Sequence, residues 1–332
     1  MSGRREFLAA GLGAACLAGL PAWSRAQGVD SARVLTATDV HVHDYPTVAA
    51  MRWMGEQLEL ATSGRLCLRV YHGGQLGRES DAIDMARFGA IDIARVYTGA
   101  LNNAFPLTVA LSLPYVFESV THLRRVVDGD VGAKVLQSFE RRGLVGLAIY
   151  DSGARSFYNT RRALEVPADL HGLKFRVPAS DIFLDMLRLF GANPTPLSYG
   201  AVFSALETRL IDGAENNLRS FHSSRQFEIA RYWSQSEHSY APDVLLMSRQ
   251  SFDSLDPADR ELLMDVARRS VMVMRKLWDE SESIARQAVL DAGVHFNEVD
   301  IPAFRRAVRP LLDQLLRDPE IAVLHQWIRE RA

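Results

Sequence analysis

The stretch PADRELLMDVARRSVMVMRKLWDESESIARQAVLDA, residues 257–292, contains no glycine and no proline after its first residue. Asp256 supplies a cap and Pro257 suits the first helical position, so the sequence predicts one long, continuous helix. A helix this long in a globular chain usually crosses between domains, and its apolar spacing does not follow the sustained heptad of a coiled coil. We therefore expect two lobes that share this helix.

The chain before this helix alternates between predicted strands and predicted helices. In the first half, strands are predicted at 34–37, 65–71, 91–97 and 144–150, and helices at 46–61, 79–88, 121–127 and 131–141. Such alternation favours a sheet of the parallel type covered by helices on both faces, with ligands at the carboxyl ends of the strands. Asp151-Ser152-Gly153 then marks a crossover to the second lobe.

The second lobe repeats the alternation. Strands are predicted near 156–159, 174–177, 211–214 and 294–299, helices at 181–190, 199–208 and from 302 onward, and a strand at 244–248 that returns to the first lobe. The predicted organisation is a signal segment at 1–26, lobe I at 27–152 with a return segment at about 241–280, and lobe II at 153–240 completed by about 281–332.

The first residues have the features of a removable secretory signal. Arg4 and Arg5 form the positive region, residues 8–20 are apolar, and Ser24-Arg25-Ala26 offers a cleavage site. The run Arg4-Arg5-Glu6-Phe7-Leu8 is similar to a twin-arginine export motif. The apolar run is too short to span a bilayer. We expect the protein to be exported to the periplasm, by either the twin-arginine or the general secretory route.

Composition excludes several classes of function. Lys and Arg total 38 against 40 Asp and Glu, so neither a nucleic-acid surface nor a polybasic membrane patch is indicated. Removal of the signal leaves Cys67 as the one cysteine, so no intrachain disulfide is expected. No nucleophile elbow, phosphate-binding glycine loop or Cys-x-x-Cys pair occurs. We predict no enzymatic activity, no cofactor and no resident metal, and a small molecule as partner.

Two local patterns carry side chains suited to a site. His41-Val42-His43-Asp44 follows a predicted strand, where alternate residues can present two imidazoles to one metal. The alternative function is therefore a metal-dependent periplasmic hydrolase that uses His41 and His43.

The second pattern is an arginine, Arg176, on a predicted strand between Phe175 and Val177. An arginine with apolar neighbours pairs with a core carboxylate or awaits an anionic ligand, and the residues alone leave both open.

From about Val34 to its C-terminus, the chain resembles the solute-binding proteins of tripartite ATP-independent periplasmic (TRAP) transporters, DctP type. The motifs that carry the resemblance are Gln75-Leu76-Gly77, Leu113-Pro114-Tyr115-Val116-Phe117, Gly172-Leu173-Lys174-Phe175-Arg176-Val177-Pro178, Gly191-Ala192-Asn193-Pro194-Thr195-Pro196 and Ile211-Asp212-Gly213-Ala214-Glu215-Asn216. The resemblance implies an α/β, two-lobed periplasmic-binding-protein-like fold, with a ligand cleft between the lobes and a long helix shared by both.

The resemblance also implies the ligand-binding residues. Arg176 would form a bidentate pair with a ligand carboxylate, because a guanidinium presents parallel N–H donors that match its two oxygens. The other positions that match the family's pocket are Arg155, Asn216, Tyr199, Tyr97, Thr98 and, less closely, His238.

The chain departs from the family pattern after Tyr199, where Gly200 is followed by Ala201-Val202-Phe203 in place of the usual Glu-Val-Tyr. The first-lobe contacts, which select the part of the ligand remote from the carboxylate, are also poorly matched. A C4-dicarboxylate, a sugar acid and an aliphatic keto acid therefore stay open as ligands. We expect a monomer that delivers its ligand to TRAP membrane permease subunits, with service to a sensor as a further possibility.

Overall fold

The computed structural model describes residues 32–332. The predicted signal segment, residues 1–26, lies outside the described residues. Within residues 32–332, no helix combines the length and apolar character needed to cross a membrane.

Residues 32–332 form strands and helices close to the predicted positions. The strands are β1 Arg33–Thr38, β2 Leu66–Tyr71, β3 Ile93–Tyr97, β4 Leu144–Tyr150, β5 Arg155–Asn159, β6 Lys174–Val177, β7 Asn193–Pro196, β8 Gly213–Asn217, β9 Tyr232–Ser239, β10 Asp243–Ser248 and β11 His295–Glu298. The helices are α1 Pro46–Ala61, α2 Glu79–Arg87, α3 Thr98–Leu101, α4 Val109–Ser112, α5 Val120–Val127, α6 Asp130–Ser138, α7 Asp181–Leu189, α8 Val202–Glu207, α9 Leu218–Ser223, α10 Arg249–Asp253, α11 Pro257–Asp291, α12 Ile301–Leu315 and α13 Pro319–Arg329.

The first sheet has the strand order β2-β1-β3-β10-β4. Strand β1 runs parallel to both β2 and β3, as the alternation of strands and helices predicted. Strand β10 runs antiparallel to β3 and to β4, so the sheet is mixed and not purely parallel. The reason is that β10 enters this sheet directly from the second one, without a crossover helix.

The second sheet has the order β11-β9-β5-β8-β6-β7. Strand β6, which carries Arg176, lies between β7 and β8 and is parallel to both. Strand β5 is antiparallel to β8, and this register places Arg155 opposite Asn217 and Ser156 opposite Asn216. This pairing brings Arg155 and Asn216, two predicted site residues from distant segments, to one end of the sheet.

Helix α11 confirms the long helix predicted from the sequence. It packs against α1 and β4 on the side of the first sheet and against α9 on the side of the second. Trp278, which is 1% exposed, stacks edge-on against Tyr45 with ring centroids 5.8 Å apart. Burying such a side chain stabilises the fold by roughly 1.5–3 kcal/mol. The boundaries between the two lobes stay a prediction.

The strand predicted at 211–214 was placed too early. Strand β8 begins at Gly213 and continues through the polar run Glu215-Asn216-Asn217, because these residues pair with β5. Strand β9 was not predicted, since its residues Ser234-Gln235-Ser236-Glu237-His238 show no apolar alternation.

Candidate functional site

A cleft lies where strand ends of both sheets come together. Its outer cavity has a volume of about 400 Å³ and its inner cavity about 30 Å³. Both are lined by Val40, Glu79, Arg176, Pro178 and Tyr199, and the inner cavity also by His41, Arg95, Tyr97, Ser152, Arg155, Asn216, Asn217, Ser220 and Asp243. Strands of both sheets therefore contribute polar side chains to one cleft.

Arg176 lines both cavities and is 4% exposed. Its Nε donates a hydrogen bond of 2.8 Å to the carbonyl oxygen of Leu197. Within residues 32–332, no carboxylate lies within 4.0 Å of its guanidinium. Burial lowers the pKa of Arg176, and the more distant charge of Glu215 offsets this only in part. Arg176 is thus a buried cation in the cleft without a counterion of its own.

Arg155, in contrast, has a counterion. It donates to both carboxylate oxygens of Glu215, Nε to Oε2 at 2.6 Å and Nη2 to Oε1 at 2.8 Å. Burial would raise the pKa of Glu215, but the charge and hydrogen bonds of Arg155 and His238 outweigh burial and lower it to about 2. Since Arg155 also bonds Asn216 Oδ1 and the Glu215 carbonyl oxygen, four of its five N–H donors are engaged within the protein.

Asn216, Tyr199 and Tyr97 also line the inner cavity. Asn216 Oδ1 accepts hydrogen bonds from Arg155 and from the Asn217 backbone, while its Nδ2 has no acceptor among the described residues. The Tyr199 hydroxyl donates to the Ser220 carbonyl oxygen at 3.3 Å. The Tyr97 ring lies 4.5 Å from the Arg155 guanidinium carbon. These three side chains have positions from which they can contact a ligand.

Two of the predicted site residues, Thr98 and His238, line neither cavity, so their contact with a ligand stays a prediction. Thr98 is fully buried, and its backbone N–H and hydroxyl both donate to the Pro242 carbonyl oxygen. His238 is fully buried behind Glu215, with Nε2 3.3 Å from Oε2 of that carboxylate, and stacks on Phe157. In this position His238 contacts Glu215, the carboxylate that pairs with Arg155.

The first-sheet side of the cleft carries an acidic cluster that was not predicted from the sequence. Arg95 is 1% exposed and pairs with Asp39 at 2.6 Å, Glu79 at 3.0 Å and Asp243 at 3.1 Å. Three carboxyl groups thus share one guanidinium. The position of Glu79, two residues after the Gln75-Leu76-Gly77 motif, could have indicated this cluster, but the sequence carries no signal for Asp243.

Asp243 differs from the other two carboxyl groups. Only its Oδ1 bonds Arg95, and its buried Oδ2 has no hydrogen-bond partner among the described residues. Burial, together with the negative charges of Glu79 and Asp39, raises the pKa of Asp243 to about 7 against the opposing effect of Arg95. At neutral pH this carboxyl group therefore exchanges between an acid that can donate a hydrogen bond and an anion.

His41 and His43, the two residues of the alternative metal hypothesis, lie in different environments. His41 is buried; its Nδ1 contacts Asp39 and Arg95, and its Nε2 lies 3.4 Å from Ser220 Oγ. His43 is exposed and contacts the exposed carboxylate of Asp44. Within residues 32–332, no group of three or more His, Cys, Asp or Glu side chains is arranged to hold a metal. Both His41 nitrogens instead serve polar contacts, one of which reaches across to Ser220.

The charges around the cleft define what it can bind. Arg95 and Arg155 are paired with carboxylates inside the protein, whereas Arg176 is not. On the opposite side of the cleft, Glu79 and Asp243 present carboxyl oxygens. The arrangement suits a ligand with one carboxylate at one end and hydroxyl groups at the other, because carboxylates are strong hydrogen-bond acceptors and carboxylic acids can also donate.

Comparison with known protein families gives one extensive match. Residues 38–318 match the family model described as bacterial extracellular solute-binding protein, family 7, or DctP. A solute-binding protein of Chromohalobacter salexigens is 37% identical over 288 residues, which cover 86% of each chain. The 2,3-diketo-L-gulonate-binding periplasmic protein YiaO of Escherichia coli is 30% identical over 275 residues, or 83% of each chain.

Solved structures with the same fold contain bound sugar acids. A TRAP periplasmic solute-binding protein from Bradyrhizobium sp. in complex with D-galacturonate is 45% identical, with a TM-score of 0.88 over 90% of this chain and 100% of that one. One from Chromohalobacter salexigens with bound D-glucuronate is 36% identical, with a TM-score of 0.87 and the same coverage of both chains.

Proposed function

We propose that this chain, which belongs to the DctP family of bacterial extracellular solute-binding proteins, captures a hexuronate in the cleft that Arg176 lines. Membership of the family confirms the resemblance that the sequence showed. The proteins of this family bind solutes and work with membrane permease subunits, and we propose the same role here: capture, closure of the two lobes, and delivery to the permease without any bond being made or broken.

The observation that carries the proposal is the state of Arg176. A buried guanidinium without a counterion costs free energy, and a ligand carboxylate would supply the missing charge. The bond from Nε to the Leu197 carbonyl oxygen fixes the plane of the guanidinium and leaves both Nη atoms for a ligand. A bidentate pair in a water-excluded cleft is the strongest arrangement for such a contact.

The acidic side of the cleft supports a monoanion over a dicarboxylate. A second ligand carboxylate would face Glu79 and Asp243, and like charges at close range repel. A hexuronate instead has hydroxyl groups at the end remote from its carboxylate, and these can donate to Glu79 and Asp243. The relatives that hold galacturonate or glucuronate agree with this choice of ligand class.

We further propose that the protein acts in the periplasm as a monomer after removal of residues 1–26. The signal features of the sequence and the periplasmic location of relatives such as the gulonate-binding protein support export. The replacement of Arg4 and Arg5 by Lys distinguishes the routes: a twin-arginine substrate should lose periplasmic accumulation, and undiminished export would indicate the general secretory route.

Titration calorimetry on the mature chain tests the choice of ligand. We expect D-galacturonate or D-glucuronate to bind with micromolar affinity, about 8 kcal/mol. D-Galactose, which lacks the carboxylate, should not bind, and succinate, which carries two, should bind at least tenfold more weakly. Succinate binding as tightly as the uronates would refute the hexuronate assignment while leaving the solute-binding role intact.

A further inference from the structure

A second cavity lies away from the cleft, between the last two helices and the turn that contains Tyr115. Its volume is about 310 Å³. It shares no lining residue with the cleft, and its walls are formed by Pro114, Tyr115, Val116, Arg305, Val308, Arg309, Leu312, Asp313, Leu316, His325 and Arg329. Helix α12 also packs against α7, whereas α13 packs against α4 and α6.

The turn at this cavity has a strained backbone, and it carries a tyrosine hydroxyl without a hydrogen-bond partner among the described residues. Tyr115 has φ of +57°, a left-handed conformation that is uncommon for a bulky residue. The side chain is 9% exposed, and its hydroxyl is buried without a hydrogen-bond partner among the described residues. Backbone strain and unpaired buried polar groups cluster at binding sites, so both features of Tyr115 indicate a ligand site at this turn.

The cavity is positively charged. Arg309 pairs with Asp313 at 2.8 Å, but within residues 32–332 neither Arg305 nor Arg329 has a carboxylate within 4.0 Å. The Arg305 guanidinium carbon lies 5.4 Å from the centre of the Tyr115 ring, a cation–π contact that holds it at the cavity wall. Burial and the charge of Arg329 lower the pKa of His325, which favours its neutral form. Two arginine charges are therefore available to an anion.

The remaining walls are apolar. Val116, Val308, Leu312 and Leu316 line the same cavity. This surface offers few partners for the hydroxyl groups of a sugar, in contrast to the polar cleft at Arg176. A ligand with an anionic group and an apolar body would therefore match both the arginines and the apolar side chains of the lining.

We propose that this cavity is a second binding site, for a small monocarboxylate with an apolar body. The carboxylate is held by Arg305 and Arg329, and the body packs against Val308, Leu312 and Leu316. The site differs in ligand class from the cleft and is independent of the hexuronate assignment, because no residue is common to the two.

Benzoate is a suitable probe, with benzamide as its uncharged counterpart. Binding is measured by ligand-observed NMR on the mature protein saturated with D-galacturonate, and again on Arg176→Ala, so that the cleft cannot account for the signal. We expect millimolar or tighter binding of benzoate in both samples and about tenfold weaker binding of benzamide. Soaking with para-iodobenzoate should place the iodine in this cavity.

Variants of exposed arginines separate this site from non-specific attraction without disturbing the core. The double variant Arg305→Gln/Arg329→Gln should bind benzoate about tenfold more weakly, while Arg306→Gln, on the same helix but outside the cavity, should bind as the parent does. The proposal is overturned if benzoate does not bind, if galacturonate or Arg176→Ala abolishes its binding, if benzamide binds equally well, or if the double variant retains full affinity.

Discussion

The Nε–H of Arg176 is bonded to the carbonyl oxygen of Leu197 at 2.8 Å, and this contact positions the guanidinium through the backbone of the neighbouring segment. Leu197 directly follows β7, which runs parallel to β6 with Pro196 opposite Val177. The orientation of the Arg176 guanidinium is thus set by strand register and not by another side chain. Replacement of the Leu197 side chain should leave it unchanged.

The pair formed by Arg155 and Glu215 should be a major support of the cleft. Arg155→Ala would leave the buried Glu215 carboxylate without its main counterion, and we expect a loss of roughly 3–5 kcal/mol in the free energy of unfolding, measured in urea. Arg161 serves as the control, because it is 54% exposed and pairs with Asp212 near the surface. Arg161→Ala should cost at most about 1 kcal/mol. Equal losses in the two variants would contradict a buried, structural pair.

Hexuronate affinity should depend on pH through Asp243. This group lines the inner cavity and its pKa is raised to about 7, so it gains a negative charge as the pH rises through neutrality. Since the ligand is an anion, the affinity should fall between about pH 6 and about pH 8. Asp243→Asn cannot ionise and should bind with nearly constant affinity over the same range. Calorimetry that shows the same slope in both proteins would rule out Asp243 as its origin.

The two histidines of the His41-Val42-His43 sequence should differ in their effect on stability. His41→Ala removes a buried ring that contacts Asp39, Arg95 and Ser220, and should cost about 2 kcal/mol or more. His43→Ala removes an exposed ring and should stay within about 0.5 kcal/mol. Thermal and urea denaturation measure both. A shared loss of bound metal in the two variants would revive the hydrolase hypothesis.

Contact between the two sides of the cleft should contribute to ligand retention. Asn102, which follows α3, donates from Nδ2 to Ser180 Oγ at 3.2 Å, and its Oδ1 is fixed by Thr108 and Ser112. Loss of this bond in Asn102→Ala should favour the open state and weaken hexuronate binding by roughly fivefold, mainly through faster dissociation. Stopped-flow fluorescence measures the rate.

A double-mutant cycle provides the control for this contact. Because Asn102 and Ser180 act through one bond, Asn102→Ala combined with Ser180→Ala should dissociate no faster than the more impaired single variant. Additive effects of the two substitutions on the dissociation rate would show that the bond itself does not hold the cleft closed.

Local sequence patterns predicted much of this fold. The lack of glycine and proline after Pro257 identified α11 to within one residue of its end, and the apolar residues around Arg176 located β6 without error. In both places, local propensity and tertiary packing favour the same structure. Strands β7 and β9 were missed because β7 contains two prolines and β9 is polar, so their pairing depends on neighbours far along the chain.

The site was predicted less completely for a related reason. Arg176 could be identified, but the partners of the other arginines depend on contacts between distant segments. Glu215 lies 60 residues from Arg155, and Asp243 lies 148 residues from Arg95. No spacing rule connects such pairs. The internal pairing of Arg155, and the positions of Thr98 and His238 outside the cavity lining, were therefore not predictable from the sequence.

The most direct test of the account is the binding of D-galacturonate and D-glucuronate to Arg176→Ala, measured by calorimetry beside the parent protein and Arg161→Ala, whose side chain lines neither cavity. We predict that Arg161→Ala binds as the parent does, and that Arg176→Ala stays folded by circular dichroism but loses roughly 2–5 kcal/mol of binding free energy. The affinity of Arg176→Lys should lie between those of the parent protein and Arg176→Ala, because an ammonium cannot form the bidentate pair. Unchanged affinity in folded Arg176→Ala would contradict the assignment of this residue as the carboxylate-binding group.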